Sequence, residues 1–198
     1  MNSPAPVDST FNVSLVGVGG QGTLLTSDIL ALAAMHAGFD VKKSEIHGMS
    51  QRGGSVISQV RFGRKVFSPI IPDGQSDVLV SFERTEALRW LHLARPAARV
   101  LVNDMERMPI TVSSGLQPAA ENVGERLGAH LGLMLLAANP LAEQSGNIRA
   151  ANVVLVGALS TLVPFAEDHW QTAMRERIPA RLLDVNRRAF ELGRDAVR

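Results

Sequence analysis

Cysteine is absent from this chain. Without thiolates it cannot ligate an ordinary iron–sulfur cluster, close a disulfide or use a cysteine nucleophile, so any one-electron chemistry must sit on another polypeptide. An excess of one charge is lacking too. The 20 Lys and Arg against 19 Asp and Glu give a formal net charge of +1, which offers no electrostatic footprint for nucleic acid. No basic run or RNA-stacking motif occurs. There is no stretch of about 18 uninterrupted apolar residues, and Met1 to Thr10 is polar and proline-bearing rather than a signal peptide. These absences predict a cytoplasmic protein with a loose tail over residues 1–11. No internal repeat, low-complexity tract or long linker divides the remainder. With 45% hydrophobic residues in 198, the chain can bury one good core, and residues 12–198 read as a single domain.

What is present is organised around residues 13–22, Val-Ser-Leu-Val-Gly-Val-Gly-Gly-Gln-Gly. Val13, Leu15 and Val16 form a buried strand that runs into a glycine turn, and a helix starts near Thr23. Gly17, Gly19 and Gly22 stand at the G-x-G-x-x-G spacing, which serves a tight turn, close approach of a ligand to the backbone, and helix–strand contact. Leu25, Ile29, Leu32 and Ala33 are the apolar positions of a helix that stops at Gly38. A helix entered this way presents unpaired N–H groups and the positive end of its dipole, so a phosphate or carboxylate is the first ligand to consider. The plainer alternative is a turn needed only for packing. Glu45 lies near the place of a ribose-binding acid, about 20 residues on. It follows Lys42 and Lys43 and precedes a segment unlike a nicotinamide domain, so simple NAD binding is not favoured.

Further along, Phe39 to Ser44 reads as a second strand opening into a polar, glycine-rich loop from Glu45 to Ser55. Loops of this kind at the carboxyl ends of strands are where open α/β sheets place ligands or partners. Val56, Val60 and Phe62 alternate with Gln59 and Arg61 as a half-buried strand, and Gly63-Arg64-Lys65 predicts a β-hairpin into Val66-Phe67. A strand over Asp77 to Phe82 follows, then a helix from about Thr85 to Ala94 stopped by Pro96. Arg99 to Val102 is another strand and Pro109 to Val112 a weaker candidate. Pro118 to Gly128 reads as helix. Leu131 to Ala137 is an apolar run of either kind; Gly128 and Gly132 favour a strand. Asn152 to Leu162 is apolar around most of its circumference, so it belongs in the core or at a subunit contact. Glu167 to Arg177 is an amphipathic helix, and Leu182, Val185, Ala189, Leu192 and Ala196 recur at coiled-coil-like spacing in another. The fold expected is α/β: a three-layer Rossmann-like domain with a mixed, mostly parallel sheet, one β-hairpin and a helical C-terminal portion.

His47, beside Glu45 and Arg52, is the tempting acid–base group, but it has no evident nucleophile to serve and no second histidine at metal-ligand spacing. Interface or ligand contact suits it better. Arg52 suits anion recognition through its planar fork, with Gly53-Gly54 leaving room for close approach; a salt bridge to Glu45 or Asp73 is the structural alternative. Gln21 stands where it can hydrogen-bond a ligand or fix the neighbouring loop. The candidate cofactor-binding set is Gly17, Gly19, Gly20, Gln21, Gly22 and Thr23 in the turn, and Glu45, His47, Gln51, Arg52, Gly53, Gly54 and Ser55 in the loop. No catalytic residue and no metal ligand is assigned.

Gly17-Val18-Gly19-Gly20-Gln21-Gly22 followed by Ser44-Glu45-Ile46-His47-Gly48-Met49-Ser50-Gln51-Arg52-Gly53-Gly54-Ser55 resembles the gamma domain of 2-oxoacid:ferredoxin oxidoreductases. Within that family it is most similar to the beta subunit of the indolepyruvate type, which consists of that domain alone. The similarity continues through Ser68-Pro69-Ile70-Ile71-Pro72-Asp73-Gly74, Asp77-Val78-Leu79-Val80 with Phe82-Glu83, and Asn147 to Leu159. The resemblance implies a subunit of an enzyme that oxidatively decarboxylates an aryl pyruvate, with coenzyme A as acyl acceptor and ferredoxin as electron acceptor. It also implies that thiamine diphosphate, magnesium and iron–sulfur clusters reside on a larger partner subunit. No Gly-Asp-Gly followed by an Asn-rich stretch stands in this chain. Under the resemblance the glycine turn either binds part of coenzyme A or serves as architecture whose loops dock the partner. A free-standing dinucleotide-binding oxidoreductase or redox-sensing module is the alternative.

Overall fold

The computed structural model describes residues 10–47, 54–106 and 121–197. Six strands form one sheet in the order β2-β3-β1-β4-β5-β6: β1 Phe11–Val18, β2 Asp40–His47, β3 Ser55–Gly63, β4 Ser76–Ser81, β5 Ala94–Asn103 and β6 Leu133–Leu136. β1, β4, β5 and β6 pair in parallel, whereas β3 runs antiparallel to both of its neighbours, β1 and β2. The sheet is therefore mixed and mostly parallel, as the sequence predicts.

Period-two alternation distributes the strand side chains between two cores. Val13, Leu15, Val78, Val80 and Leu101 face a thick layer of helices, α1 Thr23–His36, α4 Ala138–Ser145, α5 Ala151–Leu159, α6 Glu167–Arg177 and α7 Leu183–Asp195. Val16, Leu79, Val100 and Val102 face a thin layer, α2 Arg84–Trp90 and α3 Val123–Gly128. Every residue of α5 from Asn152 to Leu159 is buried, which its all-round apolar sequence requires. α5 lies against α7 with almost no side chain between them. A Cβ on Gly157 would stand 2.0 Å from the Phe190 carbonyl oxygen, and one on Gly193 would stand 1.9 Å from that of Val154. The two glycines face each other's helix, and backbone meets backbone at the crossing.

Four expectations are corrected. No strand forms at Val66-Phe67: the hairpin is β2–β3, with Asp40 opposite Gly63 and His47 opposite Val56. The segment after Gly63 is tied by side chains instead. Asp40 Oδ2 accepts from the Val66 N–H at 2.9 Å, Arg61 donates to the Ser68 and Ile70 carbonyls at 3.0 and 2.8 Å, and Gln59 takes both backbone groups of Ile71. Pro69 and Pro72 have no N–H to offer a ladder. Glu45, Ile46 and His47 belong to β2, not to a loop, because the pairing with β3 continues to Val56. Helix α2 ends at Trp90 in a 3-10 turn over Leu91–Leu93, and Pro96 lies inside β5 near its start, where the register with β4 is irregular. Phe11, placed in the tail by the sequence, opens β1 opposite Phe62. The strand candidate Pro109 to Val112 and the start of the helix predicted from Pro118 lie outside the described residues. Among the described residues no helix is long and apolar enough to cross a membrane.

Candidate functional site

The chain leaves β1 through α1 toward β2 on one side, and β4 later joins β1 on the other. Such a switch in direction opens a crevice at the carboxyl ends of the parallel strands, and the glycine turn lies at its mouth. Gln21 closes the turn: its N–H donates to the Val18 carbonyl at 3.1 Å and its side-chain Oε1 accepts from the Val18 N–H at 2.7 Å. Gly20 and Gly22 take positive φ, 100° and 93°. Gly22 caps α1 without a side-chain bond, and no acidic residue stands in the first turn, so no side chain caps the N–H groups entering the helix.

The near approach predicted for the glycines includes the expected strand–helix contact: a Cβ on Gly17 in β1 would stand 3.1 Å from Thr23 Oγ1 at the start of α1. A Cβ on Gly22 would stand 2.7 Å from Asn152 Nδ2, at the start of α5, so the N-termini of α1 and α5 meet. At Gly17 it would stand 2.9 Å from Phe82 Cβ. The crevice holds about 330 Å³ and is lined by Gly20, Gln21, Asn103, Asn139, Arg149 and Asn152 among others, with no carboxylate among the described residues of its wall. The entrance of α5, an arginine and carboxamides, with no opposing acid among the described lining residues, are groups that favour an anion. Asn103 braces the floor: Nδ2 donates to the Phe82 carbonyl at 3.3 Å and to Asn139 Oδ1 at 3.1 Å, and Oδ1 accepts from the Ala138 N–H at 3.1 Å. Two polar groups remain unused. Gln21 Nε2 and Thr23 Oγ1 are buried without a hydrogen-bond partner among the described residues.

The structure brings the turn and the exit of the polar loop together through one bond, Gly19 N–H to the Gly54 carbonyl at 2.9 Å. Ser55 is committed to the scaffold beneath: its hydroxyl donates to Glu86 Oε2 and accepts from the Trp90 indole N–H at 3.1 Å. Glu86 is 3% exposed and also pairs with Arg89 at 3.0 Å. Glu45 is not at the crevice. It pairs with Lys43, which also binds Asp28, on the β2 edge of the sheet beside α1. Burial works to lower the Lys43 pKa, but the bonds to Asp28 and Glu45 outweigh it and raise the ammonium above its ordinary value. His47 ends β2 opposite Val56. Gln51, Arg52 and Gly53 lie outside the described residues.

The sequence reading missed Asn103, Asn139, Arg149 and Asn152 as site residues. They come from the end of β5, from α4, from the turn before α5 and from the start of α5; only their position after strands, and Asn147 to Leu159 within the resemblance, hinted at them. Among the described residues no group of three or more His, Asp or Glu could hold a metal ion. With no cysteine either, this chain's residues do not fit an iron–sulfur cluster.

Residues 12–196 match the family described as Pyruvate ferredoxin/flavodoxin oxidoreductase. The chain is 41% identical over 189 residues to the indolepyruvate oxidoreductase subunit IorB of Thermococcus kodakarensis, covering 92% of this chain and 94% of that one. The gamma subunit of a keto/oxoacid ferredoxin oxidoreductase from Geobacter sulfurreducens superposes with a TM-score of 0.71 at 22% identity, covering 94% of this chain and 98% of its own. The 2-oxoglutarate:ferredoxin oxidoreductase of Magnetococcus marinus gives 0.71 at 18% identity, over 96% of this chain but 31% of the longer one, so the same fold also occurs within a larger polypeptide. The chain belongs to the pyruvate ferredoxin/flavodoxin oxidoreductase family.

Proposed function

We propose that this member of the family is the small subunit of a cytoplasmic 2-oxoacid:ferredoxin oxidoreductase of the indolepyruvate type. It works with a larger subunit that carries thiamine diphosphate, magnesium and the iron–sulfur clusters, and ferredoxin takes the electrons from that partner. The observation that carries this reading is likeness to IorB along nearly the whole of both chains, in a polypeptide without a thiolate to hold a cluster.

The role of this chain is binding and shaping rather than bond breaking. Coenzyme A supplies the thiol that accepts the acyl group. The backbone at Gly20 and Gln21, with Arg149 across the crevice, holds an anionic part of it. The Gly19–Gly54 bond and the Ser55–Glu86–Trp90 cluster fix Gly54 and Ser55 beside that site, and this edge meets the larger subunit. The placement of Glu45 in an ion pair with Lys43, away from the turn, gives no support to a dinucleotide reading.

The test is co-purification with the larger subunit followed by assay on aryl pyruvates with ferredoxin and coenzyme A. The pair is expected to turn over and this chain alone to be inert; turnover by the isolated chain overturns the reading. Amide-exchange protection of residues 17–24 by coenzyme A supports ligand binding at the turn. Protection only on adding the larger subunit assigns the turn to docking.

A further inference from the structure

The two edges of the sheet are built differently. β2, at one end, carries Asp40, Lys42, Lys43 and Glu45, charges of the kind that keep an open strand from pairing with another chain. β6, at the other end, has no such guard: from Leu131 to Asn139 there is no charged residue, and Pro140 comes only after the strand has ended. Among the described residues no strand pairs with its outer edge.

The backbone of β6 is half used. The Val100 N–H donates to the Gly132 carbonyl at 2.9 Å and the Asp104 N–H to the Leu136 carbonyl at 2.8 Å. Alternate residues of a parallel strand turn toward the neighbour, so Gly132, Met134 and Leu136 face β5 while Leu133, Leu135 and Ala137 face outward. Two of the outward groups are already engaged, the Leu133 N–H with the His130 carbonyl at 3.1 Å and the Ala137 carbonyl with the Leu141 N–H at 3.5 Å. Left over are the Leu133 carbonyl, both backbone groups of Leu135 and the Ala137 N–H. The side chains follow the same division. Met134 and Leu136 pack into the thick layer, whereas Leu135 is 48% exposed and Leu131 and Ala137 are exposed beside it.

The leftover groups complement themselves. Turned through a two-fold axis at Leu135, the strand meets a second copy antiparallel: each Leu135 N–H donates to the Leu135 carbonyl of the other copy, and each Ala137 N–H to the other's Leu133 carbonyl. The ladder then stops where the Leu133 N–H and the Ala137 carbonyl are already taken. Leu135 packs against Leu135 on one face, with no like charges opposed. We propose that β6 is a dimerisation edge, its occupant a second copy of this chain paired antiparallel about Leu135. A two-fold closes the contact, so it ends at two copies. Strands of four residues make a small contact, below the roughly 1,200 Å² at which standard interfaces begin, so the dimer is weak and its population rises with concentration. The proposal concerns this chain alone and does not depend on the subunit reading.

The test is sedimentation of the full chain over a concentration series, as wild type, Leu135→Lys, Leu135→Glu and an equal mixture of the two variants. The wild-type mass should rise from one chain toward two. Each variant alone sets like charges against each other at the axis and should weaken association roughly tenfold or more. The mixture sets Lys against Glu and should restore it, which also shows that both variants are folded. In the wild type, the Leu135 and Ala137 amides should gain exchange protection as concentration rises, a measurement that needs no variant. A wild type that stays monomeric, or dimers untouched by Leu135→Lys, overturns the proposal. Protection of those two amides that comes only with an added larger subunit also overturns it and gives the edge to that partner.

Discussion

Gly22 and Asn152 hold the entrances of two helices in contact: any Cβ on Gly22 would lie 2.9 Å from the Asn152 Cβ and 2.7 Å from its Nδ2. The contact joins residues far apart in the chain and sets the width of the crevice between them. Gly20, two residues earlier, has nearly the same positive φ but open space around its Cβ position. The pair separates backbone strain from steric contact. Gly20→Ala should cost about 1 kcal/mol, the left-handed penalty alone. Gly22→Ala should cost about 3 kcal/mol, because the neighbour must also move. Urea unfolding of both variants measures the difference; equal losses would mean that Asn152 yields freely.

The Gly157–Gly193 crossing predicts a larger effect. A methyl at either position meets a carbonyl carbon and oxygen of the facing helix, not the end of a flexible side chain. Gly157→Ala or Gly193→Ala should each destabilise by about 3 kcal/mol or more, read as a lowered denaturation midpoint. The double variant should cost less than the sum of the singles, since the first methyl already separates the helices.

Glu86→Ala should cost about 2 kcal/mol, because it removes the acceptor of the Ser55 hydroxyl and of the Trp90 indole N–H in a buried setting. Glu86→Gln keeps an acceptor and should cost less. Hydrogen exchange at Gly54 and Ser55 should rise in the alanine variant if this cluster anchors the exit of the loop; unchanged exchange there would sever that link.

Two groups give a pH signature of opposite sign. The Lys42 ammonium, then the Val66 N–H, hold the Asp40 carboxyl below its ordinary value. A depressed folded pKa stabilises above the unfolded value of about 3.9 and is lost as pH falls through the folded one. Val66 amide exchange, corrected for intrinsic rate, should therefore accelerate at acid pH, and Asp40→Asn should remove that dependence. Lys43 is raised, so its contribution is whole below the unfolded value of about 10.4 and is lost as pH climbs through the higher folded one. Lys43→Met should flatten the alkaline limb of the stability profile.

The sequence by itself determined the strand–turn–helix that begins at Val13 and stops at Gly38, the parallel strands β4 and β5, the buried helix α5 and the exclusion of cluster chemistry. Each of these rests on local periodicity or on a residue count. It placed the hairpin one strand too late, because Gly63-Arg64-Lys65 has turn chemistry. What pairs with β3 depends on Asp40 and Arg61 tying down the following segment from elsewhere in the fold. The crevice was half legible: the glycine turn that carries Gly20 and Gln21 announces itself by the spacing of Gly17, Gly19 and Gly22, whereas Asn103, Asn139, Arg149 and Asn152 carry no periodic mark. They become a site only when the ends of three parallel strands and the start of α5 are brought to one edge of the sheet. The tertiary structure alone decided that convergence, since the attraction of two helix entrances and an arginine for an anion depends on distance, which spacing along a chain does not encode.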